Sequence, residues 1–183
     1  MNTQKETYNA LYKESQYKDI DLPDYKITNG KILRNKKILI LGVGTARDVK
    51  YLLKDTGNEV WGVDSSSTAT EYSKKLGIKT IATDLDNFDT KFKPEYFDVI
   101  IAKDVIEHLG NPMSIMPKLK KFLKRSGYLV ISIPNHFYFP FRIKILFGGN
   151  MIWKTIGHDH TKLFEEWNYM HKIFFTWKGF QKF

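Results

Sequence analysis

The chain has 183 residues, enough for one domain with a real core, and its 42% hydrophobic and 27% charged content reads as a globular protein. It contains no cysteine, which excludes disulfides, zinc–thiolate sites and cysteine nucleophiles and fits an expected cytoplasmic location. The net charge of +9 admits an anionic partner, but with no arginine-rich segment and no nucleic-acid motif a solvated lysine surface is the simpler reading, and a nucleic-acid partner is not expected.

In chain order, residues 1–35 are polar and mixed in charge, with Tyr8, Tyr12, Tyr17 and Tyr25 scattered through them. This extension is read as a short amphipathic helix around Thr7–Tyr17, then a loop through Pro23 and Asn29-Gly30. The start, MNTQKETYNA, has no apolar signal region, so secretion is not expected. No apolar run reaches the length of a membrane span. From Lys36 the pattern alternates. Strands are predicted at Lys37–Leu41, Glu59–Val63, Lys79–Ala82, Phe97–Ala102 and Tyr128–Ile133. Helices are predicted at Ala46–Lys54, Ser67–Leu76 and Pro112–Lys124. Short apolar strands alternating with helices predict an α/β fold: a Rossmann-like, doubly wound, mostly parallel sheet with helices on both faces. Ligands in such sheets bind beyond the carboxyl ends of the strands, at the point where strand order reverses. After Pro134 the composition changes. Of the 27 aromatic residues, 14 lie in the last 50, so residues 134–175 are read as an aromatic and basic lid within a domain spanning 36–183.

Four constellations carry chemistry. The first is Lys37–Asp48, KILILGVGTARD, where an apolar strand breaks at Gly42-Val43-Gly44. Glycine lets backbone approach a ligand, and a helix start offers free N–H groups. Arg47 stands where the dinucleotide fingerprint needs a third glycine, which argues against a nicotinamide oxidoreductase. The second is Asp64, closing the next strand, where a carboxylate accepts both hydroxyls of a ribose. Capping a helix is its plainer use, but Ser65–Ser67 also supply caps. The third is Thr83-Asp84-Leu85-Asp86, with Asp84 placed for an exocyclic amine and Leu85 for packing on a base; an ordinary turn is the plainer reading. The fourth is FDVIIAKDVIEHLGNP, Phe97–Pro112, read as a strand ending at Ala102 and a short helix carrying Asp104, Glu107 and His108. His108 is the general-base candidate, weighed against a structural histidine at a helix end.

In this order, ILILGVGTA, VWGVDSSSTA, ATDLDNF, FDVIIAKDVIEHLGNP and LKRSGYLVISIPN resemble the class I S-adenosylmethionine-dependent methyltransferases, across about Asn35–Pro134. The last two segments are similar to those of ubiquinone-type and glycan-type O-methyltransferases. The C-terminal part, with His171 and Thr176 before a helix, is similar to MetW proteins and to methyltransferases of polysaccharide gene clusters. The resemblance implies an S-adenosylmethionine cofactor held by Gly42, Gly44, Thr45, Asp64, Ser65, Asp84, Leu85, Ala102 and Lys103. It also implies methyl transfer to a small molecule or glycan, with His108 as the catalytic residue. The alternative is a non-catalytic protein of the same fold that binds a partner enzyme. Nucleic-acid methylation is disfavoured because AKDV stands where the amino-methylating tetrad would be.

The sequence departs from the family pattern at Ile40, where an acidic residue is usual, at Ala46, the usual third glycine, and at Lys103, whose cation disfavours a sulfonium and favours a carboxylate. TWKGFQKF reads as the start of a helix, and the two strands that usually follow have no counterpart in the sequence. Either the chain is truncated, or the edge of strand five is expected bare or capped by a partner or a second copy. No metal is assigned. Gly157-His158-Asp159-His160, with His136 and His171, is read as loop rather than ligand cluster. Residues 136–154, with Arg142, Lys144 and Lys154, fit either a lid or a peripheral membrane contact, and the lid is preferred.

Overall fold

The apolar runs KILIL, EVWGVD, KTIA, FDVIIAK and LKRSGYLVIS become strands because β-branched and aliphatic side chains on alternate faces bury against helices above and below. A computed structural model describes residues 4–14, 28, 30–88, 92–135, 137–148 and 171–183. They form strands β1 (Lys37–Leu41), β2 (Glu59–Asp64), β3 (Lys79–Ala82), β4 (Phe97–Lys103) and β5 (Leu123–Ser132). The sheet order is β3-β2-β1-β4-β5 and every pairing is parallel. Order reverses between β1 and β4, which opens a crevice at their carboxyl ends. Helices are α1 (Gln4–Glu14), α2 (Ser67–Lys75), α3 (Pro112–Phe122), α4 (Phe139–Leu146) and the short α5 (Trp177–Phe180).

Two cores follow from the alternation of side chains along each strand. Leu39, Leu41, Val63, Ile100 and Ala102 face one, with Phe88, Phe97 and Ile115. Ile38, Ile40, Val60, Val99 and Ile101 face the other, with Leu52 and Ile78. The Ile40 that replaces an acidic residue is thus a core side chain.

The predicted helix Ala46–Lys54 does not form. That stretch is a ladder of tight turns and one 3₁₀ turn, Lys50–Leu52. Ala46 lies at φ +56°, and the amides of Val49, Leu52 and Leu53 each donate three residues back. A residue in the left-handed region interrupts α-helical geometry, a conformational fact that apolar spacing does not report. Strand β5 begins at Leu123, five residues earlier than the spacing indicates. Its pairing jumps from Phe97↔Leu123 to Val99↔Tyr128, so the polar stretch Lys124–Gly127 bulges from the ladder. Among the described residues, β5 is an edge of the sheet. Thr176 caps α5 through the amide of Gly179. No described helix is long and apolar enough to cross a membrane. The histidines at 136, 158 and 160, and most of the expected lid, lie outside the described residues.

Candidate functional site

The glycine turn after β1 sets the floor of the crevice. Gly42 has φ +63°, and a Cβ there would collide with Val105 Cγ2 of the loop after β4. Gly44 has φ +51°, and a Cβ there would come 2.9 Å from the hydroxyl of Tyr12 on α1. Both positions favour glycine for conformation, and Gly42 also for space. The turn is tied down from two sides. Gly44 N donates to Asp64 Oδ2 at 2.9 Å, and Ser73 Oγ of α2 donates to Gly44 O at 2.8 Å.

Asp64 ends β2, and its carboxylate bridges two turns. Its Oδ1 also accepts from Ser66 N at 2.8 Å. Burial pushes its carboxyl up, although the backbone amides of Ser66, Gly44 and Ser65 favour the ionised form. Ser66, not Asp64, caps α2, through Ala69 N. The Asp64 carboxylate therefore ties the turns after β1 and β2 together while still bordering the cavity.

A cavity of about 400 Å³ opens over this floor, within the usual range for a ligand site. Gly42, Asp64, Ser65, Asp84, Leu85 and His108 all line it. Its other walls include Tyr8 and Tyr12, which the sequence placed only in an N-terminal extension. They sit one turn apart on one face of α1, the spacing that makes side chains neighbours. Tyr8 stacks with Tyr12 and meets His108 edge-on with centroids 6.2 Å apart. Burial, then the nearby Asp64 carboxylate, pushes the Tyr12 phenol well above its ordinary value, so it stays protonated. Asn9 holds α1 in place by accepting from Ser66 Oγ at 2.7 Å.

A second cavity of about 240 Å³ adjoins the first and contains Gly44, Thr45 and Lys103. Lys103 Nζ lies 2.6 Å from Asp48 Oδ2, and Arg47 Nε lies 3.0 Å from Asp48 Oδ1. Two cations share the Asp48 carboxylate here, and Asp104 lines the same cavity, so the two cations face two carboxylates. Ala102 does not belong to either wall. It is fully buried in the core and pairs with Leu41 and Ile131, because alternation along β4 turns it away from the crevice.

Asp84 Oδ1 accepts from Asp86 N at 3.0 Å, the local turn expected of this sequence, while the residue still borders the cavity. Asp86 reaches across to the loop after the 3₁₀ turn Ile106–His108. Its carboxylate accepts from Gly110 N at 2.8 Å and lies 3.4 Å from Lys172 Nζ. Burial opposes its ionisation, but these amides and Lys172 outweigh that and hold its carboxyl below the ordinary range. Asp104, expected on the short helix, precedes it at φ +51°.

Glu107 sits beside His108 and is fully buried, and neither carboxylate oxygen has a hydrogen-bond partner among the described residues. Burial pushes its carboxyl up to about 8, and the nearby Asp104 carboxylate adds to this. His171 stands next to both, with Nε2 3.9 Å from Glu107 Oε1 and its ring 4.6 Å from that of His108. No spacing rule links His171 to position 108, so the sequence could not pair them.

Residues 39–131 match the model of the family described as "Methyltransferase domain", half of the chain. The chain belongs to the methyltransferase-domain family. The domain is 24% identical over 148 residues to a ubiquinone biosynthesis O-methyltransferase of Aliivibrio fischeri, covering 76% of this chain and 62% of that protein. It is 36% identical over 95 residues to an uncharacterized protein of Methanocaldococcus jannaschii, covering 52% of this chain and 43% of the other. The chain thus spans roughly half of the length of these relatives. In structure it resembles a SAM-dependent methyltransferase from Thermotoga maritima with a TM-score of 0.66 at 19% identity, covering 96% of this chain and 76% of that one. A Haloferax volcanii methyltransferase solved with its Trm112 activator superposes with a TM-score of 0.59 at 14% identity, over 72% of this chain and 62% of that one. The fold is that of the class I methyltransferases.

Proposed function

We propose that this methyltransferase domain binds S-adenosylmethionine across the two adjoining cavities and methylates a small molecule or glycan. The observation that carries the proposal is the joining of Gly42, Asp64, Asp84, Leu85 and His108 around one cavity at the carboxyl ends of the strands. The bound cofactor supplies an electrophilic methyl group, which leaves the sulfonium sulfur with its bonding electron pair remaining on sulfur as a new bond forms to the acceptor atom. In this reading Asp64 accepts from the ribose hydroxyls with the lone pairs its backbone donors leave open. Asp84 accepts from the adenine amine, and Leu85, nearly buried, supports the ring. Arg47 and Lys103 favour the amino-acid carboxylate, while Asp48 moderates their charge near the sulfonium. Tyr8 and Tyr12 on α1 close the cavity against water and restrict the acceptor's approach. Such a displacement needs mainly alignment of acceptor, methyl and sulfur. His108, which lines the same cavity, is assigned to activating the acceptor. The relatives named as methyltransferases support this over the partner-binding alternative.

Calorimetric titration with S-adenosylmethionine and S-adenosylhomocysteine tests the reading. Micromolar binding is expected for the native chain and a loss of about tenfold or more in D64A, since hydrogen bonds to a charged group contribute about 1.5–3 kcal/mol. Absence of binding by a folded sample would refute it.

A further inference from the structure

We propose that Glu107, His108 and His171 form a site for one divalent transition-metal ion at the acceptor end of the cavity. One donor atom from each residue lies within 4.8 Å of the others. A tetrahedral ion with ligands at about 2.1 Å sets its donors roughly 3.4 Å apart, so small side-chain adjustments complete the shell. The Glu107–His171 pair is already at 3.9 Å, too long for a hydrogen bond and close to the spacing of two ligands on one ion.

Glu107 supplies the independent observation. Its carboxylate is fully buried and neither oxygen has a hydrogen-bond partner among the described residues. Buried carboxylates are paired or bound to metal as a rule, because an uncompensated one is costly. A cation between Glu107 and the two imidazoles removes that cost.

Backbone contacts, not the histidine side chain, bring the third ligand in. Lys172 N and Ile173 N both donate to Glu107 O, at 2.8 and 3.1 Å. Asp86 fastens the same corner by accepting from Gly110 N and pairing with Lys172 Nζ. His171 is therefore held beside Glu107 whether or not its ring binds anything.

Two imidazole nitrogens and one carboxylate oxygen suit zinc or a similar transition ion better than calcium or magnesium. Three protein ligands leave one position open, as catalytic rather than structural sites do. His108 also lines the cavity, so the open position lies toward it, and as a ligand His108 activates the acceptor through the ion rather than by taking its proton. Resting on the proposed methyl transfer, this narrows the acceptor atom to oxygen. A hydroxyl entering that position loses its proton to bulk water more readily, and its lone pair then forms the bond to the methyl carbon.

The test uses the full chain treated with chelator, dialysed, and titrated with zinc by calorimetry and with cobalt by visible absorption. One equivalent of each is expected, with the intense visible bands of four-coordinate cobalt. E107Q and H171N should each weaken binding at least tenfold. E107Q is close in shape and, like the protonated carboxyl, uncharged, so folding is spared; circular dichroism and S-adenosylhomocysteine affinity confirm it. Absence of saturable binding overturns the inference, as does binding that E107Q and H171N leave unchanged, which would place the ion elsewhere. D64A separates the two readings. It should abolish S-adenosylhomocysteine binding and leave zinc binding intact. Zinc binding by a chain that never binds S-adenosylhomocysteine would refute methyl transfer and keep the metal site.

Discussion

At the scale of single residues, the site depends on two glycines and one carboxylate. Gly42 combines a positive φ with a Cβ direction blocked by Val105. Gly42→Ala adds left-handed strain to overpacking, so urea denaturation should show a loss of about 2–4 kcal/mol. A loss below about 0.5 kcal/mol would mean that the turn after β1 yields freely. That Asp64 and Gly44 stand at strand ends was legible in the sequence, because a strand end is a local pattern; that Gly44 N bonds the Asp64 carboxylate was not, because the two lie 20 residues apart. Lys103 was legible only in part. Its position at the carboxyl end of β4 follows from the strand pattern, but its pairing with Asp48 does not, because the two meet only when β1 and β4 pair.

At the scale of elements, β2 and β3 are joined by a polar cluster at the end of the sheet remote from the site. Glu59 Oε1 accepts from Lys79 Nζ at 2.6 Å, Trp61 Nε1 at 3.1 Å and the Tyr96 hydroxyl at 3.0 Å. The hydrogen bond from Lys79 is the main cause that holds the Glu59 carboxyl down at about 2. Its folded value lies below its ordinary 4.5, so the stabilisation is present above that value and fades as pH falls toward 2. Comparing urea midpoints of the native chain and E59Q should show a deficit of about 1 kcal/mol at pH 7, since partial exposure screens the pair. That deficit should shrink steadily below pH 4.5. A deficit independent of pH would assign the effect to packing. The helix expected after β1 illustrates the limit of apolar spacing. Val49, Leu52 and Leu53 recur as helix residues would, yet Ala46 takes a left-handed conformation and the chain closes in three-residue steps.

At the scale of the whole molecule, the proposed cofactor binding is linked to folding through the crevice at the carboxyl ends. The ligand site takes residues from α1, β2 and the loops after β1, β3 and β4, none of which is assembled in the unfolded chain. S-adenosylhomocysteine at a hundred times its dissociation constant should therefore stabilise the fold by about 2.7 kcal/mol. For a chain of this length that raises the melting temperature by roughly 5–10 °C, readable by calorimetry. A melting temperature that ignores the ligand would contradict the proposed site.

The sequence by itself determined the five strands, their parallel α/β arrangement and the turns at the strand ends. These follow from periodicity and from glycine, aspartate and serine at strand ends, which act within a few residues of where they stand. Only the tertiary structure decided that Tyr8 and Tyr12 roof the cavity, that Ala102 belongs to the core and that Glu107, His108 and His171 converge. Those meetings join segments far apart in the chain. They depend on how the crossovers return each strand to the sheet and on which backbone amides then find a carbonyl, as Lys172 and Ile173 find that of Glu107. Local pattern fixes which elements form, and burial against distant elements fixes what their side chains can do.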